Sequence, residues 1–219
     1  HNDYSGLEIQ PTIRLAHTPG RDQIVWAAIS RAVRAPTRVD TDSRFIPVIG
    51  SGAVFIQGSP DFESEDLIAY ELGYRVRPSH QLFVDIATFY NDYNHLRTLE
   101  PSPLTGLPLL IKNERYGTTY GGEVALTLQA TEWWQLSGSY SYIHEDLRFR
   151  PGSHDPTGGS LEGDDPAHLA SLHSAMNLPR NWEFDWTLRY SSRLPLPALP
   201  AYTELDARLA WMPAEAWEV

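Results

Sequence analysis

Along most of this chain, apolar and polar residues alternate one by one in runs that reverse across short turns. From Leu67 onward Ile68, Tyr70, Leu72, Tyr74 and Val76 alternate with Ala69, Glu71, Gly73, Arg75 and Arg77. After Pro78-Ser79-His80 the chain returns with Leu82, Val84, Ile86, Thr88 and Tyr90 interleaved with Phe83, Asp85, Ala87, Phe89 and Asn91. A period of two puts successive side chains on opposite faces of a strand, so this stretch predicts a β-hairpin with one oily face and one wet face.

The same pattern recurs on both sides of that hairpin. Ile9, Pro11, Ile13 and Leu15 alternate with Gln10, Thr12 and Arg14. A turn at Thr18-Pro19-Gly20-Arg21 leads to a strand from Gln23 to about Val33. Residues Ile24 to Ile29 are apolar on both sides, which leaves open whether Val25 or Trp26 faces outward. Tyr120 to Gln129 turns at Thr131–Trp133 and returns as Leu136, Gly138, Tyr140 and Tyr142. A strand from about Ala167 to Leu178 turns at Pro179-Arg180-Asn181. Next comes the most apolar face of the chain, Trp182, Phe184, Trp186, Leu188 and Tyr190, set against Glu183, Asp185, Thr187 and Arg189. Leu205, Ala207, Leu209 and Trp211 oppose Glu204, Asp206 and Arg208, and the chain is expected to turn again over Met212–Ala216.

Between alternate strands the connections are long. Segments 34–66, 94–115 and 145–166 are rich in Gly and Pro and carry no strand pattern of useful length, so they read as large loops on one side, facing short turns on the other. Trp133, Trp134, Trp182, Trp211 and Trp217 gather at the short turns. Tyr90, Tyr93, Tyr116, Tyr120, Tyr142 and Tyr190 gather near the long loops, so the aromatics form two interfacial belts. These features predict an all-β, antiparallel, up-and-down transmembrane β-barrel, with about nine or ten strands present here.

Composition narrows the partners. A formal charge of −11 and a pI near 5.1 argue against nucleic acid, whose phosphates require clustered Lys and Arg. With no cysteine, disulfide scaffolds, thiolate metal sites and thiol nucleophiles are excluded. No apolar run approaches the roughly 20 residues of a membrane helix, a test that barrels evade because a strand crosses with about 9 to 11. The histidines are scattered without metal-ligand spacing, so no protein-bound metal or cofactor is expected. Asp164, Asp165, His168, Ser171 and His173 bring acid, base and hydroxyl groups close in sequence, but His168 and His173 fall on opposite faces of a strand, and no catalysis is expected.

Several motifs carry a family resemblance. The run from Val25 through Ser30-Arg31-Ala32-Val33-Arg34-Ala35-Pro36-Thr37-Arg38 resembles the strand-to-loop passage of TonB-dependent outer-membrane receptors. Tyr70-Glu71-Leu72-Gly73-Tyr74-Arg75, Phe89-Tyr90-Asn91-Asp92-Tyr93, Tyr120-Gly121-Gly122-Glu123, Leu188-Arg189-Tyr190, Leu194-Pro195 and Tyr202-Thr203-Glu204-Leu205-Asp206-Ala207-Arg208-Leu209 are similar to barrel strands of that family in the same order. The resemblance covers nearly the whole chain. It implies that residues 1–219 are part of a single barrel domain of about 22 strands around a plugged lumen. The family's energy-coupling box and plug are not found before His1, and Val219 is not the family's terminal aromatic, so plug and remaining strands are expected elsewhere in a longer polypeptide.

The resemblance also implies a role: a receptor and transporter of the bacterial outer membrane that takes up a scarce nutrient, typically a ferric siderophore. Its partners would be outer-membrane lipid, the plug, the TonB energy-coupling complex reached through the N-terminal region, and a small metal chelate. Ligand capture is expected in loops 34–66, 94–115 and 145–166. Glu71, Arg75, Asp85 and Glu123, together with Asp185, Arg189, Asp206 and Arg208, are the candidate lumen-facing and plug-facing charges, able to pair across adjacent strands. Two alternatives stay open. One is a complete ten-stranded porin-like or structural barrel closed by pairing the tail near Val219 with the strand near Ile9. The other is a soluble β-sandwich binding domain.

Overall fold

The computed structural model describes residues 4–45, 48, 49, 52, 53, 56–158, 165–195 and 197–212. Nine long strands follow one another as antiparallel neighbours: β1 (Thr12–Gly20), β2 (Gln23–Arg34), β7 (Glu65–Ser79), β8 (Leu82–Pro101), β9 (Leu109–Thr131), β10 (Trp134–Phe149), β11 (His168–Leu178), β12 (Trp182–Ser191) and β13 (Tyr202–Trp211). Between β2 and β7 lie a one-turn helix α1 (Arg38–Thr41) and the two-residue strands β3 (Arg44–Phe45), β4 (Val48–Ile49), β5 (Gly52–Ala53) and β6 (Ile56–Gln57). The sheet is open: among the described residues β1 and β13 each pair on one side only. Residues 213–219, including Trp217, Val219 and most of the expected turn after Met212, lie outside the described residues. So does the tail pairing that a ten-stranded barrel needs.

Register carries the two-faced pattern across every strand. Ile29, Tyr70, Tyr90, Tyr120 and His144 stand directly opposite one another on successive strands, as do Val25, Tyr74, Ile86, Val124 and Tyr140. Leu205, Leu188, Leu172 and Gly138 continue the same face. Because a slip of one residue would exchange the faces, this continuity makes the oily surface a single property of the sheet. Leu72, Leu126, Leu188, Leu205 and Leu209 are exposed on it, and among the described residues no second sheet covers them. That rules against the sandwich, in which Trp186, Leu188 and Leu126 would be sealed inside.

The same registers decide the ambiguous second strand. Val25 pairs with Tyr74 on the oily face, whereas Trp26 pairs with Gly73 on the polar one. Tyr93 also leaves the expected aromatic belt: it shares the polar face with Phe89 and Asn91, so it points away from lipid. Among the described residues the rest of the two belts keeps its place, Trp217 lying outside them. Trp182 and Trp211 stack at 5.8 Å at the short-turn end, beside Trp133 and Trp134 at 6.2 Å, and Tyr70 meets Tyr90 at 6.3 Å at the other.

At the long-loop end, two of the expected loops shrink. Strands β8 and β9 continue past the belt, pairing Leu96 with Arg115, Thr98 with Lys112 and Leu99 with Ile111, so the loop read as 94–115 is reduced to residues 102–108. Strand β10 likewise pairs Glu145 to Phe149 with Thr119 to Arg115, and the loop read as 145–166 starts at residue 150. Polar residues had broken the alternation there, yet the backbone keeps its ladder because the hairpin needs no oily face once it stands in water. The first turn also tightens: β1 runs through Thr18–Gly20 after a bulge, leaving Arg21–Asp22 as the turn. Among the described residues, the one cluster of fully buried apolar side chains lies in this outer part, where Phe62, Leu99 and Ile111 pack with Ile56 and Leu109.

Candidate functional site

All eight charges singled out from the sequence stand on the polar face. Six of them are in ion pairs across adjacent strands. Arg75 Nε donates to Asp85 Oδ2 at 2.9 Å, Arg208 Nη1 reaches Glu183 at 2.9 Å and Asp185 at 3.1 Å, and Arg189 bonds Asp206 with Glu204 at 3.9 Å. These side chains remain partly solvated, so each pair is worth under about 1 kcal/mol and serves to neutralise the wall more than to hold it. The other two, Glu71 and Glu123, line a cavity instead.

That cavity has a volume of about 380 Å³ and is walled by Trp26, Phe89 and Tyr93 with Glu71, Glu123 and Glu145. Two glycines make room for its rings. A β-carbon at Gly73 would fall 2.2 Å from the Trp26 indole, and one at Gly121 would fall 2.8 Å from Phe89 Cζ and 2.0 Å from the carbonyl oxygen of Tyr142. Beneath the rings, Asn91 Nδ2 donates to Thr119 Oγ1 at 3.1 Å. Sequence reasoning had not placed Trp26 or Tyr93 here; strand parity gave the signal for Tyr93, since it lies two residues from Asn91.

Above the belt, the connections are fastened to the β8–β9 hairpin by buried carboxylates. Asp40 is 1% exposed and accepts from the Thr37 hydroxyl at 2.8 Å, the Thr37 amide at 3.0 Å and Arg34 at 3.1 Å, with Arg97 at 3.7 Å. Burial disfavours its charge, but these donors outweigh burial and hold the Asp40 carboxyl below its ordinary range. Glu65 joins the cluster, bonding Arg34 and accepting from the Arg97 amide at 2.7 Å. On the other side, Glu100 accepts from Ser153 Oγ at 2.6 Å and the His154 amide at 2.7 Å, and Asp155 accepts from the Leu99 amide at 2.9 Å.

The loop from β2 therefore adds β6 in parallel to β9, while the loop from β10 bonds β8, so each reaches the strand farther from its own origin. Between them the β8–β9 ladder shifts register over residues 93–98, where His95 takes a φ of 56° and a bulge sharpens the twist of the pair. A cleft of about 300 Å³ remains between the first loop and β9, lined by Asp61, Glu63, His95, Arg150 and Lys112, the chain's single lysine. His95 contacts Asp66 at 3.0 Å and Glu63 at 3.6 Å. Of the expected capture loops, 34–66 and 145–166 thus meet at one hairpin tip, the part of 94–115 that remains stranded.

The acid, base and hydroxyl residues near position 168 do not come together. His168 lies on the oily face with its Nδ1 at 2.8 Å from the Tyr140 hydroxyl, and His173 lies on the polar face against Thr187 at 2.9 Å. Asp164 lies outside the described residues. Among the described residues no group of three or more His, Asp or Glu is arranged to hold a metal ion.

Comparison with known proteins agrees with this architecture. A family model described as TonB dependent receptor-like, beta-barrel matches residues 2–219. The iron-regulated outer membrane virulence protein of Vibrio cholerae serotype O1 is 28% identical over 134 residues, 57% of this chain and 20% of that protein. Among solved structures, a variant of the ferric enterobactin receptor of Pseudomonas aeruginosa in complex with enterobactin superposes with a TM-score of 0.74 at 16% identity, covering 97% of this chain and 34% of that one. The siderophore receptor PirA of the same organism gives 0.70 at 18% identity, covering 97% and 38%. The chain thus spans about a fifth of its curated relatives and about a third of these solved receptors.

Proposed function

Since this chain belongs to the TonB-dependent receptor-like β-barrel family, whose members are receptors and transporters of the bacterial outer membrane, we propose that it forms part of the barrel wall and outer loops of a receptor that imports a scarce nutrient as a metal chelate, most simply a ferric siderophore. The observation that carries this reading is the single open sheet of sequential strands, oily on one face and charged on the other, matched to the family from residue 2 to residue 219. In this reading residues 1–219 are one portion of a single barrel domain, and the plug and the remaining strands belong to other parts of the polypeptide.

The division of labour follows from the geometry. The oily face meets lipid, and the belts of Trp and Tyr mark its two edges. The polar face encloses the lumen, where Arg75–Asp85, Arg208–Asp185 and Arg189–Asp206 leave a wall of low local charge against which a plug can pack and slide. The loops fastened to the β8–β9 tip present a preformed surface for capture, so little ordering entropy is lost on binding. Coupling to TonB would run through the N-terminal region of the full receptor. The relatives named for iron regulation and for siderophores support iron as the nutrient.

The test is uptake by the full-length receptor. Deleting its gene is expected to abolish growth on the cognate ferric chelate under iron limitation, and loss of the energy-coupling protein is expected to do the same with the receptor still present. Undiminished iron uptake in the deletion strain, with no other nutrient's uptake impaired, would overturn the reading.

A further inference from the structure

At the short-turn end two turns stand side by side, because the Asn177 amide of β11 donates to the Trp133 carbonyl at 2.7 Å. Between them is a pocket of about 410 Å³, lined among the described residues by Trp133, Leu178, Pro179 and Asn177. It belongs to the edge of the oily face. Trp134 pairs with Met176 and Leu178 with Trp182, all on that face, and Trp133 stacks on Trp134 at 6.2 Å. The two indoles are used differently: Trp134 lies down on the sheet, its Nε1 donating at 3.0 Å to the hydroxyl of the fully buried Ser174, whereas Trp133 is exposed beside the pocket. One ring is enough to mark a membrane interface; here the second ring walls a hollow of the size that holds a small ligand.

Opposite charges flank this hollow. Glu132 precedes Trp133 in the β9–β10 turn, and Arg180 follows Pro179 in the β11–β12 turn, both exposed. Arg180 takes a φ of 66° and Asn181 a φ of 60°. Asparagine tolerates that left-handed region, but arginine is strained in it, and glycine would fit at no steric cost. A long cation at the strained position points to a use for its guanidinium. We propose that the pocket holds one phospholipid with a zwitterionic headgroup, from the leaflet on the short-turn side, which is the periplasmic one in a barrel of this kind. An acyl chain lies against Trp133, Leu178 and Pro179, continuous with the lipid that covers the oily face. Arg180 takes the phosphate through paired N–H donors, and Glu132 with the face of the Trp133 ring takes the ammonium. A headgroup with a phosphate and no amine would set like charge against Glu132, and a lipid with no phosphate would leave Arg180 without its partner. This rests on the oily face meeting lipid and is independent of the cargo.

Acyl-brominated lipids quench a tryptophan that they touch. The purified full-length receptor in detergent micelles is titrated with brominated phosphatidylethanolamine, phosphatidylglycerol or diacylglycerol bearing the same chains, and the Trp133 contribution is the difference between wild type and Trp133→Phe, which keeps a ring in place. Half-maximal quenching of Trp133 by phosphatidylethanolamine is expected at a mole fraction about fivefold below that of the other two, the scale of one cation held by a ring and a carboxylate. Glu132→Gln is expected to bring phosphatidylglycerol within about twofold of phosphatidylethanolamine, Arg180→Gln to weaken both phospholipids against diacylglycerol, and the double substitution to bring all three within about twofold. These are exposed turn residues, and an unchanged melting temperature shows that the barrel is intact. Equal half-points for the three lipids in the wild type would overturn the proposal, and so would a preference that survives the double substitution. The Trp133→Phe protein, which retains the other belt tryptophans, supplies the reference. Its quenching by all three lipids, with no preference at Trp133, removes this proposal alone, whereas no quenching of any belt tryptophan removes the lipid-facing assignment and the receptor reading with it.

Discussion

The indole of Trp26 occupies the space that a side chain at Gly73 would need: a β-carbon there would fall 2.2 Å from its Nε1. The two residues are register partners on β2 and β7, so a glycine on one strand lets the ring of the next rest on the polar wall.

Gly73→Ala is therefore expected to push Trp26 off the wall. Overpacking of this kind costs about 1–3 kcal/mol. The emission of Trp26, taken as the difference from a Trp26→Phe protein, should shift to the red, with the melting temperature lowered. An unchanged spectrum would show that the indole does not depend on the glycine.

Charge on the oily face should be penalised by depth. Leu126→Arg and Leu188→Arg, at one level of the oily face through Gly138 and Leu172, are each expected to cost about 2–4 kcal/mol of bilayer-folded stability. Thr127→Arg, one residue along on the wet face, should cost far less. Reversible urea titration of the full receptor in lipid vesicles reads the difference, and equal costs at 126 and 127 would contradict the assigned faces.

The loop fastening at Asp40 is pH-dependent. Its carboxyl is held below the ordinary value, so its contribution is complete above the usual carboxylate pKa of about 4 and disappears as the pH falls through the lower folded value. Limited proteolysis of the 35–64 connection should then be slow at neutral pH and rise only in the acid range below about 4. Asp40→Asn should make the connection sensitive at pH 7, because Arg34 and Arg97 lose the charge they face.

Glu100 should act in the same way for the second loop. Replacing it by Ala strands the Ser153 hydroxyl and the His154 amide, at a local cost of about 1–3 kcal/mol. Hydrogen exchange at His154 is expected to accelerate by tenfold or more on that scale, with strands β12 and β13 unaffected.

By contrast, the wall pairs are expected to contribute little to stability. A double-mutant cycle on Arg189 and Asp206, both about half exposed, should give a coupling below about 1 kcal/mol. A larger coupling would mean that the plug or another strand shields the pair from water.

The alternation over Ile68–Val76 and Leu82–Tyr90 was enough to assign both faces of the central hairpin, because a period of two is a property of one strand and needs no neighbour to read. The same was true of the short turns, the tryptophan belt and the charges from Glu71 to Arg208 on the wet face. Three features escaped. Trp26 sits in a run apolar on both sides, and only pairing with β7 chose its direction. The outer ends of β8, β9 and β10 have lost the oily face that betrays a strand, although their backbones remain paired.

The cavity is the third, since it joins residues from β2, β7, β8, β9 and β10 that no local pattern connects. By itself the sequence determined the fold class, the lipid-facing surface and the family, since each is written in local periodicity and strand motifs. The tertiary structure alone decided which carboxylates are neutralised, how the loops cross at the hairpin tip and where rings enter the lumen, because these depend on register between strands that are distant in the chain.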